Sequence, residues 1–350
     1  MGNIVKWGKI RMMKKFLSWL VLIIFSLFIG ALLLGIISFS VKSIENNYAA
    51  SSLLTTATQK GKTIKLILTG DIMLDRGVEY MIEKYGNGDF KFPFLKIADY
   101  LKQFDVVFGN LEGPISDKGE KVGSIYSFRN DPQSIDGLTY AGFNVISLAN
   151  NHAFDYGREA LEDCLAKLNN AGIDYVGAGF NATEIGTPII KEIKGTKIGF
   201  LAYTNLGPET WKAIGENSGI AWIDEKLLLL NSVKQDIEKA KSKSDILIVS
   251  LHSGEEYQKT PTQFQIDFSK MAIKAGADLL VGHHPHVVQP NETYNGGHIF
   301  YSLGNFVFDQ GFSEETMQGE MVKVIIEDGK IGKITPMNIK INSFFQPEIK

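Results

Sequence analysis

Residues 16–39, FLSWLVLIIFSLFIGALLLGIISF, contain no ionisable side chain. Crossing the hydrocarbon core of a bilayer takes about 20 consecutive apolar residues in helical form, so the segment is long enough to span with some tilt. A helix of this length inside a water-soluble core would carry a polar face, and this one carries none. Lys6, Lys9, Arg11, Lys14 and Lys15 precede it, and a basic flank of that kind stays in the cytoplasm. The apolar stretch exceeds the ~7–15 residues of a signal-peptide core, and SFSVKS is a poor match to a small-x-small cleavage site, so it reads as an uncleaved signal anchor. The chain then divides into a cytoplasmic basic segment (1–15), a transmembrane anchor (16–39), a linker (40–62) and an extracytoplasmic domain (63–350) of a single-pass cell-membrane protein. The linker is rich in Ser, Thr, Ala and Asn without sustained periodicity and reads as a tether between membrane and domain.

Composition of the whole chain argues against some functions. With 36 basic against 39 acidic side chains the net charge is −3, which gives no basic face for nucleic acid. The single cysteine, Cys164, cannot form an intramolecular disulfide, and its helical setting EALEDCLAKL makes it a small buried residue.

From residue 63 onward, short apolar runs alternate with amphipathic segments. The runs are 64–69, 105–110, 143–150, 198–203, 245–251 and 277–282; the clearest helical periodicity lies at 157–171, 225–243 and 262–275. Alternating strands and helices predict an α/β domain with its central strands covered on both faces. Consecutive strands from about residue 298 make the sheet system mixed.

Polar residues recur just past the strands. IKLILT runs into Asp71, DVVFGN into Asn110 and Glu112, FNVISLAN into Asn151 and His152, DILIVSL into His252, and ADLLVG into His283, His284 and His286. Groups beyond the carboxyl ends of parallel strands converge on one crevice whatever their separation in sequence. The expected site gathers Asp71, Glu112, Asn110 or Asn151, His252, His284 and His286. Carboxylate, amide and imidazole donors in that number exceed one tetrahedral centre and suit two divalent ions such as Mn, Fe or Zn. Such a pair clamps a phosphate ester and activates water near neutral pH. In VGHHPHVVQ, Pro285 is expected to enforce an extended backbone, so that His284 and His286 face one site while His283 points elsewhere. Glu255 and Glu256 follow His252 closely, and one of them, here assigned as Glu255, can orient an imidazole. Arg129 offers a planar fork to a phosphate or carboxylate, Asn305 follows a strand and can reach the site, and Asp75 reads as a helix cap or as a carboxylate behind the ligands. Phe306, Phe308 and Phe312 read as packing.

The ordered blocks GDIML, NLEGP, SLANNHAFDYG, LHSGEEY, GHHPHVVQ and YSLGNFVFD resemble the CapA-type poly-gamma-glutamate capsule biosynthesis proteins, a branch of the calcineurin-like metallophosphoesterase superfamily. The resemblance covers roughly residues 64–310. It implies a four-layer αββα sandwich with a metal site at one end of two packed sheets, and an envelope role in making, exporting or anchoring an anionic polypeptide. It further implies that Asp71 binds the first metal, that Glu112 bridges, and that Asn151, His252, His284 and His286 are ligands. On the same grounds His152 hydrogen-bonds the substrate or protonates the leaving oxygen. One departure stands out: the superfamily has Asp-x-His where this chain has Asp71-Ile72-Met73, and a thioether is a poor ligand for a hard divalent ion. Two functions remain open: a metal-dependent, phosphoesterase-like hydrolase acting on an anionic polymer or phosphoester, or a non-catalytic metal-binding or scaffold subunit beside other capsule synthase subunits.

Overall fold

A computed structural model describes residues 2–58, 63–122, 125–225 and 230–350, and the chain falls into two compact units, 1–61 and 62–350.

The first unit is one helix, α1 (Gly2–Thr58), long and apolar enough over Phe16–Ile44 to cross a membrane. It continues through residues 40–58, so the described part of the expected linker is helical. No Gly or Pro occurs between Gly35 and Gly61, so nothing in that stretch breaks the hydrogen-bond ladder. Residues 59–62 of the expected linker lie outside the described residues.

The second unit is built on β1 (Ile64–Ile72), β2 (Val106–Leu111), β3 (Val145–Ser147) and β4 (Asp174–Val176), followed by β5 (Ala178–Gly179), β6 (Ile189–Ile193), β7 (Thr196–Thr204), β8 (Gly219–Ile220), β9 (Ile246–His252), β10 (Leu279–His283), β11 (Asn291–Tyr294) and β12 (Gly297–Phe300). The tail supplies β13 (Asn305–Val307), β14 (Gln318–Glu327), β15 (Lys330–Ile341) and β16 (Pro347–Ile349). One sheet runs β16-β15-β14-β1-β2-β3-β4, with β13 also paired to β1; the other runs β11-β12-β10-β9-β7-β6, and β5 pairs with β8. In the first sheet β1 to β4 are parallel and β14, β15 and β16 antiparallel; in the second the central strands are parallel and both edge strands antiparallel. The mixed sheets expected from the sequence are present.

Side-chain alternation along the strands sets the layers. Leu66, Leu68 and Phe108 of the first sheet meet Phe200, Ile248 and Val281 of the second in one buried cluster, where the Phe108 and Phe200 rings stack with centroids 6.1 Å apart. The intervening Ile67 and Val107 point the other way, into a cluster with Ile82 of α2 (Arg76–Gly86) and Leu161 and Leu165 of α5 (Gly157–Asn170). Between these helices lie α3 (Ala98–Leu101) and α4 (Ser134–Ala141). After α6 (Ala182–Ile185), Leu247, Val249 and Leu280 of the second sheet pack on Ile237 of α7 (Leu230–Lys241) and Phe268 and Ala272 of α8 (Gln263–Lys274). The order helix, sheet, sheet, helix is the four-layer αββα sandwich that the resemblance implies. Residues 226–229, within the expected helix 225–243, lie outside the described residues. Cys164 is fully buried, as its helical setting predicts.

Candidate metal centre

The carboxyl ends of β1 and β2 in one sheet and of β9 and β10 in the other open at the same place. Register puts Asp71 opposite Asn110 and Asn305, and His283 opposite His252. A glycine stands immediately before Asp71, Asn110, His283 and Asn305, and at the first and third the reason is the closeness of neighbouring backbone. A Cβ at Gly70 would lie 2.0 Å from the Gly304 carbonyl oxygen, and one at Gly282 would lie 1.9 Å from that of Tyr301. Only glycine lets the neighbouring backbone approach so closely.

Side chains bridge the two sheets. Asn110 Nδ2 donates to Asp71 Oδ1 at 2.9 Å and approaches His252 Nδ1 at 3.1 Å. With Nδ1 accepting, His252 Nε2 donates to Asn151 Oδ1 at 2.8 Å. His283 Nδ1 lies 3.1 Å from Asp71 Oδ1, and the backbone N–H of His284 donates to Asp71 Oδ2, also at 3.1 Å. His286 Nδ1 stands 3.5 Å from that same oxygen. The ring centroids of His252 and His284 are 5.0 Å apart, and those of His284 and His286 are 5.8 Å apart.

Two expectations about VGHHPHVVQ are corrected here. His283 points into the centre, because β10 continues through it and its strand neighbour is His252. The backbone beyond is bent, with φ of 97° at His284 and 59° at His286, so the two imidazoles come together through a turn held in the left-handed region.

The centre contains polar atoms with nothing to satisfy them. Both carboxylate oxygens of Glu112, Nε2 of His283 and Nδ1 of His284 are buried without a hydrogen-bond partner. Buried polar groups are ordinarily paired, and such a set of orphaned donors is explained by an ion. One ligand atom each from Asp71, Glu112 and His252 lie within 4.8 Å of one another, and the same holds for Glu256, His284 and His286. The residues therefore fit divalent-ion binding. His252 is paired at both nitrogens, so an ion bound there displaces one of those bonds.

Electrostatics follow from burial and neighbours. Burial acts to raise the Asp71 carboxyl, but the His283 and His286 imidazoles outweigh it and hold the group well below the ordinary carboxylate range. Burial pushes Glu112 well above that range, with Asp71 adding to the effect and His286 opposing it. Burial, reinforced by His284, lowers His252 far below the usual imidazole value. Burial and His286 bring His284 down to about 3. For His286 burial is overcome by the negative charges of Glu112 and Asp71, which raise it to about 9.

His152 stands at the rim, stacked against Phe128 with centroids 4.0 Å apart. Its Nδ1 lies 2.6 Å from Asp155 Oδ2, and its Nε2 lies 3.2 Å from Asn151 Nδ2 and 3.7 Å from Glu112 Oε2. Asn150 fastens the loop, donating to Asn110 Oδ1 and the Leu111 carbonyl and accepting from His152 N–H. Asp155 and Asn150 were missed from sequence, although Asp155 sits one turn after His152 in NNHAFD and was findable by that spacing.

The remaining expected residues separate. Asn305 is fully buried and presents Oδ1 to His286 Nδ1 at 2.9 Å. Arg129 is spent elsewhere: its Nη1 donates to the Lys118 and Gly119 carbonyls and its guanidinium lies over Tyr156. Glu255 is exposed, and it is Glu256 that comes up to the imidazoles. Asp75 caps α2, accepting from Arg76 N–H. Met73 is fully buried in the core, its sulfur accepting from Asp75 N–H at 3.2 Å. Phe306 and Phe308 are packed, whereas Phe312 is 66% exposed and stacks edge-on against Tyr257.

Comparison with known proteins places these features. Residues 65–310 match a family model described as bacterial capsule synthesis protein PGA_cap. The chain is 33% identical over 291 residues to the capsule biosynthesis protein CapA of Bacillus anthracis, covering 81% of this chain and 70% of that one. It is 32% identical over 287 residues to the PGA biosynthesis protein CapA of Bacillus subtilis, covering 81% and 73%. Among solved structures, a phosphatase from Mycoplasma pneumoniae superposes with a TM-score of 0.48 at 17% identity, over 80% of this chain and 94% of that one.

Proposed function

The chain belongs to the bacterial capsule synthesis protein family, and from that premise we propose a membrane-anchored, CapA-like component of poly-gamma-glutamate capsule biosynthesis or export whose centre hydrolyses a phosphoester with the help of two divalent ions. In this reading α1 anchors the protein once, the domain from residue 63 onward faces away from the cytoplasm, and other synthase subunits stand beside it. The observation that carries the reading is the gathering of Asp71, Glu112, Asn151, His252, His284 and His286 from two sheets around orphaned buried donors.

Bound Mn, Fe or Zn would draw charge from the phosphoryl oxygens and lower the pKa of water. The protein's own groups do the rest. Asp71, Glu112 and His252 would hold one ion, and Asn110 keeps Asp71 and His252 in register. Asp155 fixes the His152 ring through Nδ1, so the proton delivered to a leaving oxygen moves at Nε2, which faces the centre. Phe128 covers the ring face and restrains its tilt.

The test is hydrolysis of a generic aryl phosphodiester by the purified full chain with added Mn, and its loss in the double variant His252→Ala, His284→Ala. Stoichiometric metal without turnover would favour the second reading, a metal-binding scaffold for the synthase, which the burial of Met73 in the core rather than in the centre supports.

A further inference from the structure

Tyr257 follows β9 and belongs to no helix or strand. Its ring lies 6.2 Å from that of His286, tilted by 31°, yet remains 42% exposed. The residue is fixed from three sides. Its N–H donates to the Pro285 carbonyl at 2.8 Å, its ring meets that of Phe312 edge-on at 5.1 Å, and Gln310 Nε2 donates to its hydroxyl oxygen at 3.3 Å. These contacts hold the backbone at φ 64°, in the left-handed region that side chains seldom adopt, and such strain gathers where a side chain is placed for function.

The direction of the hydroxyl hydrogen follows from a chain of amides that starts at an unambiguous acceptor. The Thr316 carbonyl can only accept, so the Asn305 atom 3.0 Å from it is the nitrogen, Nδ2. That nitrogen also donates to Gln310 at 3.0 Å, which makes the receiving atom Oε1. Gln310 Nε2 is thereby turned toward Tyr257, while Asn305 Oδ1 faces His286 Nδ1 at 2.9 Å. The Tyr257 oxygen accepts from Gln310, so its own hydrogen is left for another acceptor. Burial, followed by the charges of Glu256, Tyr126 and Glu112, pushes the hydroxyl above its ordinary value, so it keeps its proton, and the effect of Glu112 puts the centre within its electrostatic reach.

Cations on the surrounding loops are committed elsewhere. Arg76 grips Asp309, Arg129 donates to the Lys118 and Gly119 carbonyls, and Lys259 pairs with Glu315 at 3.1 Å. We propose that the Tyr257 hydroxyl donates a hydrogen bond to a non-bridging oxygen of the bound phosphoester, and that Gln310 and Asn305 are positioning residues that aim it. This rests on the reading of the centre as phosphoesterase-like and adds a donor that is neither a metal ligand nor part of the His152–Asp155 pair. The bond strengthens as negative charge builds on the phosphoryl oxygens, so the hydroxyl serves the transition state more than the ground state.

The experiment uses the full chain in detergent, loaded with Mn. Bound Mn is counted, kcat and KM are measured with bis(p-nitrophenyl) phosphate, and the affinity for inorganic phosphate is measured by calorimetric titration, which does not depend on turnover. Tyr257→Phe keeps the ring, its contact with Phe312 and the backbone. Gln310→Glu puts an acceptor where the amide donor stood and draws the hydroxyl hydrogen back to itself. Each variant is expected to keep the wild-type Mn content, to lose about 10–100-fold in kcat, the range for one hydrogen bond to a charged group, and to bind phosphate more weakly; the double variant should lose no more than Tyr257→Phe alone. Unchanged kcat and phosphate affinity in Tyr257→Phe would overturn the proposal, and so would a loss of Mn that accounts for the fall in rate, since the hydroxyl would then serve the metal ligands. Gln310→Glu at the wild-type rate would overturn the positioning role. A wild type that binds Mn and phosphate without turnover would sink the hydrolase reading alone, because weaker phosphate binding by Tyr257→Phe would still support the donor and equal binding would overturn it.

Discussion

Glu112 is the most informative residue to perturb, because its effect on stability should change sign with metal. Its side chain is fully buried and neither oxygen has a hydrogen-bond partner. Leaving a buried polar group unsatisfied costs about 1–3 kcal/mol. Glu112→Met keeps nearly the same volume and removes both oxygens, so without metal the variant should be more stable by that amount, or on the order of 2–8 °C in Tm for a domain of this size. The pH dependence has a definite sign. Burial raises the folded-state pKa above the ordinary 4.5, so the wild type is unpenalised below that value and loses stability as pH climbs from it toward the folded pKa. The advantage of the variant should therefore be larger at pH 7.5 than at pH 4.5. With divalent ion at about 100 times its Kd, the wild type gains about 2.7 kcal/mol that the variant largely forfeits, and the order reverses. Differential scanning calorimetry of the full chain with chelator and with Mn measures both. A variant less stable than the wild type by the same margin in both conditions would refute the reasoning, since Glu112 would then be a packing residue and not a ligand held in reserve.

Other outcomes follow from the same geometry. His286 is raised to about 9, so between pH 6.5 and 8.5 an ion bound there displaces a proton and apparent affinity should rise about tenfold per pH unit, as calorimetric titration would show; His284, brought down to about 3, adds no slope in that range. Asp155→Asn should reduce phosphodiester turnover about 10²–10⁴-fold while bound metal stays constant, because Asp155 Oδ2 holds the His152 ring and accepts from the Phe128 N–H, and neither is a proposed metal ligand; equal loss of metal would count against that role. Gly282→Ala should lower Tm by several degrees, since its Cβ would meet the Tyr301 carbonyl oxygen at 1.9 Å; an unchanged melting curve would contradict the close approach. Phe108→Ala, which empties one half of the stacked pair between the sheets, should cost about 3–5 kcal/mol by denaturant titration.

The layered fold and the strand ends were legible in the sequence because both rest on local periodicity: Leu66 and Leu68 face one way and Ile67 the other in any strand of that composition. Asp71, Asn110 and His252 could be placed for the same reason, each lying at a strand end whose position the apolar run marks. What the sequence hid depends on backbone geometry that no period announces. The continuation of β10 through His283, paired with His252, turned that ring into the centre, the left-handed φ at His284 and His286 brought the next two back to it, and the loop after β9 chose Glu256 over Glu255 through the Tyr257 to Pro285 hydrogen bond. Arg129 illustrates a second limit. Its fork suits an anion, but nearby carbonyls and the Tyr156 ring already occupy it.

β1 carries one further consequence. Thr63 stands at its amino end and Asp71 near its carboxyl end, and at ~3.3 Å per residue the two are about 25 Å apart. A tag, fusion partner or immobilising bead joined ahead of residue 63 is attached at the pole of the sandwich remote from the imidazoles, so captured protein keeps the opposite end open to the surrounding solution.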